Sequence, residues 1–332
     1  FTKWSKRVND PARSYCSIAC LYAHRDKHPK ETVCMTCRKT YKPDPANASR
    51  SDARYCSREC WHDRRRILSM LPPWDVPHTI AGYMAGFLDG DGSIGINRAK
   101  SGRIEVRLAN TNHGALDWMQ NAVPYRSYIT EHYQARKISH KTQYELCWHG
   151  PQAHGLLTAI APHLVIKRER AEQAIAFHTA FLTRKERHGV IVPQPQPCSS
   201  NPCALPRPVS DEAFWGYMSG FIDAEGCIRI NDRLKRLEVL IGNTHRCVLM
   251  YLQKHCSIHC TYSTRHDEGR SPLTTLRFAR DHAATLIGKL QSLLYIKTPQ
   301  ALLGQQFHDT WPHDPICQHM MDTMHTLNAT GQ

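Results

Sequence analysis

Two acids set the chemistry open to this chain. Asp91 and Glu225 each close a near-identical stretch, Gly82-Tyr83-Met84-Ala85-Gly86-Phe87-Leu88-Asp89-Gly90-Asp91-Gly92 and Gly216-Tyr217-Met218-Ser219-Gly220-Phe221-Ile222-Asp223-Ala224-Glu225-Gly226. If the two copies pack on each other, both carboxylates emerge side by side at one end of the pair. Bare carboxylates at close quarters repel, and one would take up a proton. A divalent cation between them removes that conflict, and hard oxygen ligands suit magnesium. A second set of donors is sulfur. Cys34-x2-Cys37 is followed, eighteen residues on, by Cys56-x3-Cys60. Two short thiolate pairs at this separation suit a tetrahedral zinc site.

Each acid needs an element to aim it. An apolar run of about two turns that ends in an acid and then Gly predicts a buried helix closed by a glycine cap. Gly82/Gly86 and Gly216/Gly220 put small residues four apart on one face, which lets two backbones approach closely. Asp89 and Asp223 lie two positions earlier, point elsewhere, and are assigned structural capping work. After each motif the chain follows one plan. In the first copy, within 78–187, the motif helix leads to strands near 93–100 and 103–112, a helix near 113–122, strands near 125–134 and 141–149, and helices near 152–161 and 167–183. In the second, helix 214–225 leads to strands near 227–232 and 235–243, helix 245–255, strands near 258–266 and 273–280, and helices 281–294 and 298–309. Ala109-Asn110-Thr111-Asn112 echoes Gly242-Asn243-Thr244-His245, and Leu164-Val165-Ile166-Lys167 echoes Leu294-Tyr295-Ile296-Lys297. The intervals from acid to lysine also agree, 76 residues in one copy and 72 in the other. The expected boundaries are a Cys-rich basic region at 1–66 with its finger at 34–60, a linker at 67–77, repeats at 78–187 and 210–312 joined by the Pro-rich segment 188–209, and a tail at 313–332 with little signal.

Met84-Ala85-Gly86-Phe87-Leu88-Asp89-Gly90-Asp91-Gly92 and Met218-Ser219-Gly220-Phe221-Ile222-Asp223-Ala224-Glu225-Gly226 resemble the paired motifs of LAGLIDADG homing endonucleases. Two copies in one chain imply the monomeric, pseudo-twofold form. The implied fold is α+β: two αββαββαα repeats with curved antiparallel DNA-binding sheets, behind a small zinc-binding region. The implied activity is magnesium-dependent, site-specific cleavage of double-stranded DNA, encoded by an intron or standing free. The resemblance makes Asp91 and Glu225 the metal ligands and sets Lys167 and Lys297 beside them. It also makes Asn112 and His245 groups that organise water or phosphate. Glu225 for Asp and Gly90 for Ala depart from the ideal motif and imply unequal half-sites. A maturase acting on intron RNA, or a DNA-binding regulator of the same fold, is the alternative. A zinc-stabilised structural protein would explain the charge but not the duplicated acids.

On this fold the sheets lie along the major groove. Alternation with period two puts Ile94, Ile96, Ile104, Val106 and Leu108 on the core side. The other face offers Ser93, Asn97, Arg103, Glu105 and Arg107, and in the second copy Arg229, Asn231, Arg236 and Glu238, all able to reach base edges. The cysteine tetrad resembles a treble-clef finger continued by a basic helix, whose Arg64, Arg65 and Arg66 are further DNA-contact candidates. Tyr15-Cys16-Ser17-Ile18-Ala19-Cys20 echoes Tyr55-Cys56-Ser57-Arg58-Glu59-Cys60 and resembles the second half of another finger whose first pair is absent; a site completed upstream or by His24 or His28 is the less favoured reading. Cys198 and Cys203 are expected to be unpaired linker thiols, and Cys256 and Cys260 structural.

Composition bounds the partner. The 332 residues carry a net charge of +14, which favours a polyanion. More than half of it lies in residues 1–75, where 16 Lys and Arg face 8 Asp and Glu. No apolar run approaches the ~18 residues of a spanning helix, so nucleic acid is favoured over a membrane. Fourteen cysteines in close pairs fit reduced thiols and metal binding in a reducing, intracellular compartment better than a disulfide scaffold. The chain opens on Phe1 and is expected to be a piece of a longer reading frame; with neither a first Cys or Ser nor a final His-Asn, it is not expected to be an intein.

Overall fold

The computed structural model describes residues 31–42, 54–61, 74–97, 103–132, 142–183, 205–269, 271–311 and 316–330. The chain divides into two units, Phe1–Met70 and Leu71–Gln332. In the first, β1 (Thr32–Val33) and β2 (Thr40–Tyr41) form a small antiparallel hairpin, and a helical turn covers 58–61.

The larger unit is built on two helices, α1 (His78–Asp91) and α5 (Asp211–Glu225). Every residue of α1 from Ala81 to Asp89 is buried, as a helix apolar all round requires. The two helices pack backbone to backbone through the four glycines. A Cβ at Gly82 or Gly86 would fall 2.2 Å from Ala213 O or 2.0 Å from Tyr217 O; at Gly216 or Gly220 it would fall 2.1 Å from Thr79 O or 2.1 Å from Tyr83 O. The contacts are reciprocal, so the helix pair carries a pseudo-twofold axis.

Each helix runs straight into a strand, β3 (Gly92–Asn97) or β7 (Gly226–Asn231). The glycine after each acid is not the left-handed cap that the sequence suggested. Gly92 has φ −107° and Gly226 φ −81°, both open to any residue. Space explains them better: a Cβ at Gly92 would lie 2.4 Å from Leu88 Cδ1, and one at Gly226 2.8 Å from Ile222 O.

The first repeat continues through β4 (Arg103–Asn110), α2 (His113–Ala122), β5 (Tyr128–His132), β6 (Gln143–His149), α3 (Pro151–Ile160) and α4 (Arg168–Thr183). After α5 and β7 the second continues through β8 (Arg236–Asn243), α6 (Arg246–Cys256), β9 (Thr261–Arg265), β10 (Leu273–Ala279), α7 (Asp281–Leu290) and α8 (Thr298–Thr310). Each repeat holds one antiparallel four-stranded sheet, in order β3-β4-β6-β5 and β7-β8-β10-β9. This is the α+β fold of two αββαββαα repeats. Ile94, Ile104, Val106, Leu108, Leu146 and Trp148 point from the first sheet into the core, as Ile228, Leu237, Val239, Ile241, Leu276 and Phe278 do from the second. Ile96 is half-buried at the core's rim. Helix α7 stops at Leu290, short of the expected 294, because the chain must turn there to deliver residues 295–297 to Asp223.

The tail holds a helix that sequence patterning missed. Cys317–Thr330 is α9, whose Met320, Met321 and Met324 pack with Ile230 and Phe307 in a separate small core. Methionine carries no β-branched or aromatic signature and fills irregular gaps, so the segment reads as featureless. Asn328 Nδ2 donates to Ile228 O at 3.0 Å and ties α9 to β7. No described helix is long and apolar enough to cross a membrane.

Candidate active centre and metal site

The packed C-termini of α1 and α5 set the centre. Asp89 is buried and accepts from the backbone N–H of Val165 (2.8 Å), Ile166 (3.0 Å) and Lys167 (2.8 Å). Asp223 does the same for Tyr295 (2.7 Å), Ile296 (3.1 Å) and Lys297 (2.9 Å). These carboxylates satisfy orphan donors at the starts of α4 and α8. The capping role expected of them is larger than helix capping, because it pulls the distant lysine loops onto the motif helices. A tyrosine then crosses from the opposite repeat to each: Tyr217 Oη donates to Asp89 and Tyr83 Oη to Asp223, both at 2.8 Å. Burial pushes the Asp89 carboxyl up, against the pull of the Ile166 and Val165 N–H groups, the Lys167 charge and the Tyr217 hydroxyl.

The loops place two lysines under the acids. Lys167 Nζ donates to Leu88 O (2.8 Å) and Asp89 O (2.6 Å), and Lys297 Nζ donates to Asp223 O. Both therefore sit at helix C-termini, where carbonyls and the macrodipole favour a cation. Neither is an ordinary surface lysine. Burial holds both below the usual lysine range, opposed by the charges of Asp91 and Glu225 among others.

Asp91 is half-buried and Glu225 exposed. Burial first, and then the Glu225 charge, raise Asp91 to about 6, while Asn110, Lys297 and Lys167 pull it down. The two acids and two lysines thus share one field. Gly90 makes room for the meeting: a Cβ there would lie 2.5 Å from Ala224 Cβ and 3.1 Å from Glu225 Cγ. At this helix spacing the Ala224 methyl lies in the room that Gly90 leaves.

Asn110 is the site residue that sequence reasoning missed. Its Nδ2 donates to Asp91 Oδ2 at 3.1 Å, and its Oδ1 accepts from Asn112 N at 2.9 Å. Asn243 likewise accepts from His245 N at 2.8 Å. The internal match offered the signal, since 110 and 243 are both Asn whereas 112 and 245 differ. Asn112 Oδ1 caps α2, accepting from Ala115 N at 3.0 Å, and His245 is exposed at the start of α6.

The polar sheet faces flank this centre. In the first, Ser93 and Arg103 are exposed, and Asn97 pairs with Arg103 through the backbone. Arg107 bridges Glu105 (3.1 Å) and Glu145 (3.5 Å). In the second, Arg229, Asn231 and Arg236 converge on Glu238. Glu238 does not offer its carboxylate to the surface, as alternation predicted; it is fully buried under those donors.

In the Cys-rich unit, Cys34, Cys37, Cys56 and Cys60 bring their sulfurs within 4.8 Å of one another. A tetrahedral zinc with ~2.3 Å bonds needs sulfurs about 3.8 Å apart, so the tetrad is compatible with zinc. Cys34 N donates to Lys39 O at 2.9 Å, Thr36 Oγ1 to Cys60 O at 2.7 Å and Met35 N to Arg54 O at 3.0 Å, fixing both pairs. Arg64, Arg65, Arg66, Cys16, Cys20, Cys198 and Cys203 lie outside the described residues. Cys256 and Cys260 are buried in the core of the second repeat.

No family profile and no curated protein matches the chain. Among solved structures it is similar to the LAGLIDADG meganuclease I-CpaMI bound to uncleaved DNA, at 11% identity and a TM-score of 0.50, over 75% of this chain and 97% of that one. It is similar in the same way to the LAGLIDADG meganuclease I-AabMI bound to uncleaved DNA, at 12% identity and a TM-score of 0.50, over 74% and 97% of the two chains. The likeness is one of fold.

Proposed function

We propose that the chain is a site-specific endonuclease of double-stranded DNA, acting as a monomer and using one acid from each repeat. The observation that carries this reading is the convergence of Asp91 and Glu225 between two polar sheet faces. Asp91 and Glu225 hold the divalent cation, magnesium by the hardness of their oxygens. When bound, it supplies charge relief at phosphorus and lowers the pKa of an attacking water. Asn110 holds the Asp91 carboxylate in orientation. Lys167 and Lys297 offset charge building on the phosphate, from positions fixed before substrate arrives. The sheets follow the major groove, where Ser93, Asn97, Arg103, Glu105, Arg107, Arg229, Asn231 and Arg236 face the bases. Asn112 and His245, at the rim, organise water or phosphate. Intron encoding fits such an enzyme.

The test is incubation with a randomised duplex library in Mg²⁺. Cleavage clustered at one long asymmetric sequence, lost on chelation and in Glu225→Gln, is the expected result. Binding without cleavage would reassign the chain as a regulator, and selective binding of intron RNA as a maturase.

The cysteine tetrad holds zinc and folds the finger, with Arg64, Arg65 and Arg66 lying against the DNA backbone. The purified chain should carry one tightly held zinc by elemental analysis, and Cys56→Ser should lose it, because a small module without its own core depends on the metal. Each lost phosphate contact should reduce the salt dependence of binding by about one unit. Unchanged affinity in a Cys56→Ser chain whose larger unit is folded would remove the finger from the interface.

A further inference from the structure

We infer that the second repeat's sheet reads two neighbouring guanines through Arg229 and Arg236, and that Glu238 beneath them is the positioning residue that aims both. The inference rests on the DNA-binding reading above and names what one half of the target must contain.

Glu238 sits on the polar face of β8, directly across from Arg229 on β7, and Asn231 lies across from Arg236. A carboxylate on the outer face of a sheet is ordinarily open to water. This one is 0% exposed. Its Oε2 accepts from Arg229 Nε (3.1 Å), Arg229 Nη2 (2.9 Å) and Asn231 Nδ2 (3.2 Å). Its Oε1 accepts from Arg236 Nε (3.0 Å), with Arg236 Nη2 in ion-pair contact at 2.9 Å. A carboxylate offers about four acceptor positions, and the four hydrogen bonds fill them. Burial works against ionisation here, but these donors outweigh it and hold the group below its ordinary value. It has nothing left to accept from the amino group of cytosine or adenine.

The arginines are used differently. Each turns the side edge of its guanidinium, Nε with Nη2, onto Glu238. The end fork, Nη1 with the outer hydrogen of Nη2, stays free, and both side chains remain partly open at 39% and 23%. That fork is the geometry that meets O6 and N7 of guanine in the major groove. Because Glu238 already fixes the guanidinium planes, little side-chain freedom is lost on binding. Two arginines against one buried acid also leave a local positive charge.

The first repeat lacks the device, and one position explains why. Glu105 and Arg103 stand where Glu238 and Arg236 stand, but the counterpart of Arg229 is Gly95. The Glu105 side chain folds over that glycine, reaches Arg107 instead and stays 28% exposed. The first sheet therefore presents open acceptors where the second presents paired donors. The guanine pair belongs to one half-site only, and so sets which way round the chain lies on its target.

The test is selection of bound duplexes from a randomised library without added divalent cation, using the full chain and two charge-conserving variants. The native chain should select two nearby guanines in one half of the site and not at the matching positions of the other. Arg229→Lys should relax one guanine and Arg236→Lys the other, each by on the order of tenfold in preference, because lysine keeps the charge and the Glu238 pairing but has no fork. Glu238→Gln should relax both positions together. Guanine preference that survives both lysine variants, or a selected site without the pair, overturns the inference and leaves the DNA reading intact. A native chain that selects no duplex at all overturns both.

Discussion

Asp91→Asn is expected to abolish strand cleavage and, in the same protein, to raise the melting temperature of the metal-free chain. The two effects have one cause. Burial and the neighbouring Glu225 charge lift Asp91 to about 6, so its ionised form is disfavoured in the folded state. For an acid whose folded pKa is raised, the associated stability is present below the unfolded value near 4. It is lost as pH climbs through 6. At pH 7.5 the metal-free native chain therefore bears the whole penalty, roughly 1–3 kcal/mol after discounting for the partly open site. Asparagine removes the charge and keeps the shape. It also removes an oxygen ligand, and the loss in rate should reach at least about a thousandfold, or about 4 kcal/mol of transition-state stabilisation. Thermal melts with and without Mg²⁺ separate the parts. The native chain should gain stability from the ion at pH 7.5 and lose that gain below pH 6, while the variant should respond little. A variant that melts lower than the native protein, or that cuts at the native rate, sinks the assignment of Asp91.

Gly86→Ala and Gly220→Ala should be among the most destabilising single methyl additions in the larger unit. The new Cβ would lie 2.0 Å from Tyr217 O in one case and 2.1 Å from Tyr83 O in the other, both backbone atoms that no rotamer change can move. The helices must separate, at a cost of about 3 kcal/mol or more, a large part of a typical domain's stability. Gly288→Ala is the control. It sits in α7 with nothing within 4 Å of its Cβ position, and should be neutral or stabilising by up to about 1 kcal/mol. Urea midpoints of the three variants decide the matter. Equal midpoints would mean that the glycines do not set the helix spacing. A folded but spread Gly86→Ala chain should also cut more slowly, because a displacement near 1 Å between catalytic groups costs on the order of a hundredfold.

Much of this architecture was legible because it is written twice. Each repeat's helices and strands follow from apolar periodicity, and the matching landmarks confirm the register of the plan. The acids, the lysines and the glycine faces were visible for the same reason. What could not be read was long-range polar wiring. Nothing local in Asp89 says that it will accept from Val165, Ile166 and Lys167, and nothing in Tyr217 says that its hydroxyl will cross to the other repeat. Alternation put Glu238 on the right face, yet it could not tell an open acid from one roofed by arginines. Helix α9 went unseen because three methionines make a core without a β-branched or aromatic pattern.

The crossed tyrosines have a consequence for how the molecule comes apart. Each carboxylate that clamps a lysine loop takes one hydroxyl from the opposite half, so neither carboxylate has its full set of donors unless both halves are docked. Opening at the glycine seam releases two loops at once. The halves should therefore open as a single cooperative foldon, with hydrogen exchange at the amides of 165–167 and 295–297 rising in step. A half expressed alone would keep its sheet and lose the order of its own lysine.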